Sequence, residues 1–151
     1  MNQAKCETKQ LAVIGWREML ALPELDITRI KAKIDTGART SALHAFDYQE
    51  FEHQGQKMIR FKTDYLQQND KNIMIAEAKL LEYRQVTNSG GQTQVRPVIV
   101  TTIKLGEYTW QSELTLTNRE GMGFRMLLGR QAVQGRFLVD PCQSFLQSIR
   151  Y

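Results

Sequence analysis

The sequence has few cysteines and no long apolar run, and both absences narrow the class of protein. Only two cysteines occur in 151 residues, Cys6 and Cys142, near opposite ends. They are either unrelated thiols or, if the termini lie side by side, a disulfide. No apolar run reaches the roughly 18 residues of a membrane-spanning helix, and residues 1–10 contain no apolar signal core. We therefore expect a cytoplasmic protein without a membrane partner, with export left open if a signal precedes these residues.

The sequence also lacks several catalytic motifs. There is no Gly-x-Ser-x-Gly, and Cys142 has no histidine near it in the chain, which argues against a serine or cysteine hydrolase. There is no His-Glu-x-x-His, and the two histidines, His44 and His53, do not have the usual ligand spacing of a zinc protease. We expect His44 to be packed or hydrogen-bonded in a strand. No Walker-type glycine loop is present, so any ATP dependence would come from a partner protein. We expect no metal and no cofactor.

The chain carries only a mild positive charge, with a formal net charge of +4. Its basic residues do not cluster strongly, and aromatic residues do not interleave with them in any nucleic-acid-binding motif. Nucleic acid is therefore not an expected partner. An acidic partner or substrate would suit this charge.

Short segments of β character recur between turn signals. Residues 29–35 alternate apolar Ile30, Ala32 and Ile34 with basic side chains, which is the period of a strand with one apolar face. Residues 88–91 (NSGG) predict a hairpin turn, because they tolerate positive φ. The predicted strands are 10–16, 29–35, 41–51, 58–65, 72–87, 94–105, 108–117 and 136–141, and residues 125–133 predict an apolar run, a glycine and a short helix. Residues 72–87 could also form a helix, but the NSGG turn that follows favours a strand.

No repeat, low-complexity tract or linker interrupts this pattern, so we predict one domain over residues 1–151. A chain of this size buries roughly two thirds of its unfolded surface, so its core needs no disulfide or metal ion to be stable. Many short strands with little helix predict a compact all-β barrel or sandwich.

One motif stands out at a predicted strand end. The segment KIDTGARTSALHA (33–45) places the Asp35 carboxylate at the end of an apolar-faced strand and follows it with Thr36 and Gly37. Gly37 lets the chain turn sharply and lets another group approach closely. The Thr36 hydroxyl can hydrogen-bond a neighbouring loop. The motif predicts a carboxylate held rigidly at the edge of a cleft, the alternative being an ordinary turn with a solvated side chain.

A second motif near the carboxyl end favours the interpretation of Asp35 as a carboxylate at the edge of a cleft. MLLGR (126–130) follows the Asp-Thr-Gly late in the chain, and this pairing resembles the retroviral-type aspartic proteases. More narrowly, KIDTGARTSALHA is similar to a small bacterial family known as RimK-associated or ATP-dependent zinc proteases. The resemblance covers the chain from about Ile14 to Val139. It implies an all-β, closed retropepsin-like barrel with one short C-terminal helix.

The resemblance also implies an aspartic endopeptidase of half size. Because the sequence has only one Asp-Thr-Gly, two identical chains would meet on a twofold axis, each giving one Asp35 to the dyad. A flap would come from the hairpin at about residues 86–95. The implied catalytic residues are Asp35, Thr36 and Gly37, with Thr36 bonding across the axis, Gly37 and Ala38 on the cleft floor, Gly129 under the loop and Arg130 beside it.

The sequence departs from the retroviral pattern at Arg39, where those enzymes carry an acidic residue that pairs with the arginine of the Gly-Arg motif. Arg39 and Arg130 would repel each other as neighbours, so an anionic group is expected near them. Arg84 and Arg96 could add to this positive field. These four arginines are therefore candidate substrate-binding residues, and we expect a preference for acidic peptides. The alternative is that they are solvated or paired surface charges. The family's association with a RimK-type ligase, which adds glutamate residues to proteins, points the same way.

Two functions remain in view at this point. The first is an aspartic endopeptidase that acts as a homodimer on peptides or proteins, glutamate-rich ones among them, with a RimK-type ligase as a candidate partner. The alternative is a non-catalytic or partner-dependent peptide-binding module of the same fold, because a fold does not dictate an activity. Whether two Asp35 side chains meet distinguishes the two.

Overall fold

The computed structural model describes residues 10–65 and 73–148, and most of these residues lie in strands. One turn of 3₁₀ helix, Pro23–Leu25, separates the second and third strands. The strands are β1 (Ala12–Gly15), β2 (Arg17–Leu22), β3 (Ile27–Asp35), β4 (Ser41–His44), β5 (Phe46–His53), β6 (Gln56–Thr63), β7 (Met74–Thr87), β8 (Thr93–Leu105), β9 (Tyr108–Thr117), β10 (Met126–Gly129) and β11 (Phe137–Asp140), and α1 (Arg130–Val133) follows β10.

Nine strands form one sheet in the order β2-β3-β10-β4-β9-β8-β7-β6-β5. A further pairing of β2 with β8, at Ala21 and Lys104, joins the sheet back on itself. The first six strands of that order therefore form a closed ring, and β7, β6 and β5 extend outward from β8. The parallel pair β1 and β11 forms a separate two-stranded sheet. The all-β prediction, with one short helix near the carboxyl end, is confirmed.

The alternation predicted in the third strand places its apolar side chains inside the ring. Ile27, Ile30, Ala32 and Ile34 of β3 are buried, and they belong to one core cluster. The same strand ends at Asp35, so the burial of these four side chains fixes the position of the carboxylate.

Two strand predictions differ from the structure. β2 (Arg17–Leu22) was not predicted, because its inward positions include the fully buried Glu18, and a charged residue breaks an apolar pattern. Residues 41–51 were predicted as one strand, yet the chain breaks at Ala45 into β4 and β5. All four residues of β4 are buried, since β10 and β9 flank it and the core covers it. β4 therefore shows no period of two.

Cys142 is exposed and carries a free thiol. Cys6, its potential disulfide partner, lies outside the described residues. Within the part of the chain that the structure describes, no helix is both long enough and apolar enough to cross a membrane.

Candidate active site

The site begins where β3 and β4 separate. These strands are consecutive in sequence, but β10 lies between them, parallel to β3 and antiparallel to β4. The loop of residues 36–40 must therefore cross the end of β10 to reach β4. The register places Gly129, the last residue of β10, directly beside Asp35. The two motifs found far apart in the sequence are thus brought into contact.

The Asp35 carboxylate is fixed by the backbone that follows it. Its Oδ1 accepts hydrogen bonds from the backbone N–H of Gly37 at 3.1 Å and of Ala38 at 3.3 Å. A Cβ on residue 37 would lie only 3.3 Å from the same oxygen, which is a tight contact. Glycine avoids this contact because it has no Cβ. Asp35 is half-buried, whereas Thr36 and Gly37 are exposed. The carboxylate is therefore oriented rigidly at a surface that another chain or a ligand can reach.

The end of β10 and the start of α1 hold the loop of residues 36–40 through backbone contacts. The backbone N–H of Arg130 donates to the Ala38 carbonyl at 2.7 Å, and that of Gln131 donates to the Arg39 carbonyl at 3.0 Å. A Cβ on Gly129 would lie 2.6 Å from the carbonyl carbon of Thr40, so only glycine permits this approach. The prediction that Gly129 lies under the loop agrees with this contact.

The Arg130 side chain also belongs to this support. One terminal guanidinium nitrogen, Nη1, donates to the backbone carbonyl of Thr36 at 3.1 Å. Arg130 thus holds the loop directly, and the carbonyl supplies the acceptor that an acidic side chain supplies in retroviral enzymes. Arg39 is exposed and its carbonyl is engaged by α1.

The other two predicted arginines lie opposite each other on the hairpin of β7 and β8. Arg84 pairs with Arg96 in the strand register. Arg84 is neutralised, because it forms ion pairs with Glu82 at 3.0 Å and with Glu113 at 2.9 Å. Hydrogen bonding to Glu113 raises the pKa of Arg84, whereas burial lowers the pKa of Arg96.

The sequence reasoning missed Arg119, which lies in the loop between β9 and β10. Its side chain is 7% exposed, and its Nε donates to the Phe124 carbonyl at 3.0 Å. Burial lowers the pKa of Arg119, the positive charge of Arg96 lowers it further, and the Asp35 carboxylate opposes both. Arg119 therefore interacts electrostatically with both Arg96 and Asp35. Nothing in the sequence signals this role, since a loop arginine is usually solvated.

His44 anchors that loop. It is 1% exposed, and its Nδ1 accepts a hydrogen bond from the backbone N–H of Arg119 at 2.8 Å. Its Nε2 lies 3.4 Å from Oδ1 of Asp64, which in turn lies 3.0 Å from Nε of Arg125. Burial lowers the pKa of His44, against the opposing charge of Asp64. The prediction of a packed, hydrogen-bonded histidine is confirmed.

The hairpin of β7 and β8 has the turn that its sequence predicted. The Asn88 side-chain oxygen accepts from the backbone N–H of Gly90 at 2.9 Å and of Gln92 at 3.0 Å. Gly91 has a φ of 82°, which glycine adopts without strain. The part of the chain that the structure describes contains no group of three or more histidine, cysteine or acidic side chains placed to hold a metal ion.

These features define a class of protein. An all-β chain with a strand-end Asp-Thr-Gly loop, supported by an apolar-apolar-Gly-Arg strand inserted between its flanking strands, has a retropepsin-like fold. The chain belongs to the RimB-like family, described as the retropepsin-like aspartic endopeptidase RimB, whose family model matches residues 13–150.

Similar proteins include longer chains with a different name. The chain is 43% identical over 133 residues to a "Probable alpha-L-glutamate ligase" of Shewanella halifaxensis, covering 88% of this chain and 29% of the relative. It is 48% identical over 130 residues to a protein of the same name from Parasynechococcus marenigrum, covering 85% and 28%. The chain thus spans less than a third of the length of these curated relatives.

One solved structure is similar over almost the whole chain. It is a protein of unknown function from Legionella pneumophila, 29% identical, with a TM-score of 0.76. The match covers 90% of this chain and 98% of that one.

Proposed function

We propose that this protein is an aspartic endopeptidase whose catalytic pair forms when two copies meet. The observation that carries the proposal is the fixed Asp35 carboxylate, held by two backbone N–H groups at the end of β3 and half-exposed to its surroundings. The exposed Thr36 and Gly37 next to it supply a surface on which the same loop of a second copy can pack.

The chemistry needs the second copy. Two carboxylates about 3 Å apart do not both ionise readily, so they share one proton. The ionised carboxylate takes a proton from water as the water attacks the peptide carbonyl, and the protonated carboxylate donates to the carbonyl oxygen. Collapse of the tetrahedral intermediate returns a proton to the departing amine. A lone Asp35 can perform one of these roles but not both at once.

The substrate we propose is an acidic, glutamate-rich peptide. Three observations support it. The net charge is +4. The Arg119 charge interacts with both the Arg96 charge and the Asp35 carboxylate. Relatives that contain a matching segment are named probable alpha-L-glutamate ligases. A ligase of that kind would make glutamate-containing chains, and a peptidase of this kind would cut them. We therefore also propose a RimK-type ligase as a functional partner.

The decisive test is cleavage of hexaglutamate and hexaglutamine peptides by the wild type and by Asp35→Asn. We expect hexaglutamate to be cut faster, the rate to fall by about 10²- to 10⁴-fold or more in Asp35→Asn, and a chelator to have no effect. Asp47→Asn makes the same chemical change at an exposed aspartate on β5 and should keep full activity.

Other results would change the proposal. Equal rates on the two peptides would remove the preference for acidic substrates. Full activity in Asp35→Asn would remove the aspartic mechanism. Binding of hexaglutamate without any cleavage by the wild type would favour the peptide-binding module or an enzyme that needs a partner.

A further inference from the structure

Two arginines combine burial with the absence of a carboxylate partner in the described part of the chain: Arg119 is buried and Arg96 is half-buried. Some other arginines are paired with carboxylates. Arg60 pairs with Glu77, and Arg125 lies within ion-pair distance of Asp64. Neither Arg96 nor Arg119 has a carboxylate within ion-pair distance among the residues that the structure describes. Arg96 donates from Nε to the neutral side-chain oxygen of Gln94 at 2.9 Å, and Arg119 donates from Nε to a backbone carbonyl.

These two arginines lie in one connected part of the site. Gln94, the acceptor of Arg96, also accepts a hydrogen bond from the Thr117 hydroxyl at 3.1 Å. Thr117 ends β9, and Arg119 follows two residues later. This bridge therefore connects the Arg96 side chain on β8 to the end of β9, two residues before Arg119. The negative charge of the Asp35 carboxylate favours the protonated form of Arg119 and so raises its pKa, against the stronger effect of burial.

The positive charge here is costly in the free protein. Arg84 and Arg96 face each other directly across β7 and β8, and like charges in such a pair are destabilising. Arg84 has two carboxylates to offset this cost, but Arg96 has none within ion-pair distance among the described residues. Arg119 is almost fully buried, and a buried charge without a carboxylate partner is expensive. An anionic ligand would relieve both costs at once.

The backbone of Arg119 is also held more firmly than an ordinary surface loop. His44 fixes its N–H at 2.8 Å. The Nη1 of Arg125 lies 3.4 Å from its carbonyl oxygen. The backbone is therefore held on both sides of the Arg119 side chain, and the Nε bond to Phe124 restrains the guanidinium itself. A restrained side chain loses less freedom when it binds a ligand.

We propose that Arg119, together with Arg96, forms a carboxylate-binding subsite at the end of β9 and that Arg119 is a specificity-determining residue. Its ligand is the side-chain carboxylate of a glutamate or aspartate residue in a bound peptide. This inference rests on the proposed function for its biological meaning, but the binding event can be measured without cleavage. It also reassigns the recognition of acidic peptides from Arg39, Arg84 and Arg130 to Arg96 and Arg119.

The test measures peptide binding in the Asp35→Asn background, where no turnover interferes. Fluorescein-labelled hexaglutamate and hexaglutamine are titrated by fluorescence anisotropy at fixed ionic strength. We expect Arg119→Gln and Arg96→Gln each to weaken hexaglutamate binding by about 10- to 100-fold, the value of a hydrogen bond to a charged group. Arg60→Gln removes the same charge from an exposed ion pair on β6 and should change binding by less than about threefold.

Arg119→Lys keeps the charge but removes the planar fork of the guanidinium, so we expect an intermediate loss of about 3- to 10-fold. Thermal melts of each variant show whether it is folded. If Arg119→Gln does not fold, Arg119→Lys and Arg96→Gln still test the subsite.

The outcomes separate this inference from the proposed function. Hexaglutamate binding that depends on Arg119 and Arg96, in a protein whose wild type cuts nothing, supports the subsite and overturns the peptidase. Cleavage by the wild type with no greater loss in Arg119 and Arg96 variants than in Arg60→Gln overturns the subsite and leaves the peptidase. Equal loss of hexaglutamate and hexaglutamine binding also overturns the subsite, because a carboxylate site must distinguish them.

Discussion

At the scale of single residues, most of the named side chains of the site hold the backbone of a loop in place through hydrogen bonds, and only one is proposed to react. Asp35 is the only carboxylate assigned to chemistry, and two N–H groups of its own loop orient it. Arg130 holds the same loop through a carbonyl. His44 likewise holds the loop that carries Arg119, by accepting a hydrogen bond from the backbone N–H of that arginine. Two loops, the proposed catalytic loop after Asp35 and the proposed recognition loop that carries Arg119, are thus each held by a side chain from another element.

His44 makes the recognition loop sensitive to acid. Its Nδ1 can accept the Arg119 N–H only while that nitrogen carries no proton. Asp64 and Glu120 face it with charges that raise its pKa, Arg125 and Arg119 face it with charges that lower it, and burial makes the net direction downward. The neutral form is therefore favoured in the folded protein.

The sign of the resulting pH dependence follows from linkage. Because the pKa is lower folded than unfolded, the unfolded chain binds more protons below about pH 6.5. The contribution of His44 is complete above that pH and is lost as the pH falls toward the folded pKa. We expect the free energy of unfolding to fall by up to about 1.4 kcal/mol per pH unit from this group alone, as measured by urea denaturation between pH 7 and pH 5.

Two variants isolate this effect. His44→Asn keeps a side-chain acceptor for the Arg119 N–H but does not titrate, so its acid dependence should be shallower than that of the wild type. His53→Gln removes the exposed histidine of β5 and should leave the slope unchanged. A wild-type slope matched by His44→Asn would contradict the assignment.

At the scale of elements, the carboxyl-terminal segment is fastened to the first strands by one buried carboxylate. Glu18 of β2 is fully buried. It accepts hydrogen bonds from the backbone N–H of Gly15 at 2.6 Å, of Leu146 at 2.8 Å and of Gln147 at 3.1 Å. The Ser148 hydroxyl donates to it at 2.7 Å. Four donors satisfy a charge that would otherwise be too costly to bury.

We therefore expect Glu18→Gln to release this segment. The amide keeps the shape of the side chain, but it carries no negative charge and one of its two ends can only donate. Unfolding free energy should fall by about 2–3 kcal/mol, the scale of hydrogen bonds to a buried charged group. Hydrogen exchange at the Leu146 and Gln147 amides should accelerate more than exchange in β3.

Glu107→Gln provides the control, because Glu107 lies exposed in the turn between β8 and β9. Its stability should stay within about 0.5 kcal/mol of the wild type. Unchanged protection at Leu146 in Glu18→Gln would show that other contacts hold the segment.

At the scale of the whole molecule, the proposed peptidase is incomplete as one chain. The ring of six strands places one Asp-Thr-Gly loop at one surface, and the sequence contains no second copy of that motif. In the proposed dimer, a second copy of the chain supplies the other carboxylate. Activity should therefore follow the concentration of dimer rather than the concentration of chain.

Mixing wild type with Asp35→Asn tests this directly. After subunits exchange at a one-to-one ratio, random pairing leaves about one quarter of the dimers with two intact carboxylates. At constant total protein, peptide cleavage should thus fall to about one quarter of the wild-type rate. A fall to one half would mean that each chain works alone. Analytical ultracentrifugation of the same mixtures supplies the fraction of dimer.

Much of this protein could be predicted from local sequence. The alternation of Ile30, Ala32 and Ile34 predicted β3, the residues around Asn88 predicted the hairpin turn, and both are present. The likeness of the DTGART segment predicted the family that the comparisons show. These features depend on neighbours in the chain, where backbone period and turn chemistry act.

Other features were decided only by tertiary structure. β4 is buried on every residue because strands distant in sequence flank it, and β2 is a strand although Glu18 faces inward, because the carboxyl-terminal segment satisfies that carboxylate. Arg119 is buried because its loop is held by the side chain of His44, which is 75 residues away in the sequence, and by the Phe124 carbonyl. No local pattern carries that information. The sequence by itself determined most of the strands and the Asp-Thr-Gly turn. Only the tertiary structure decided the support of the Asp35 loop by β10 and the burial of Arg119, because those contacts join segments far apart in the chain.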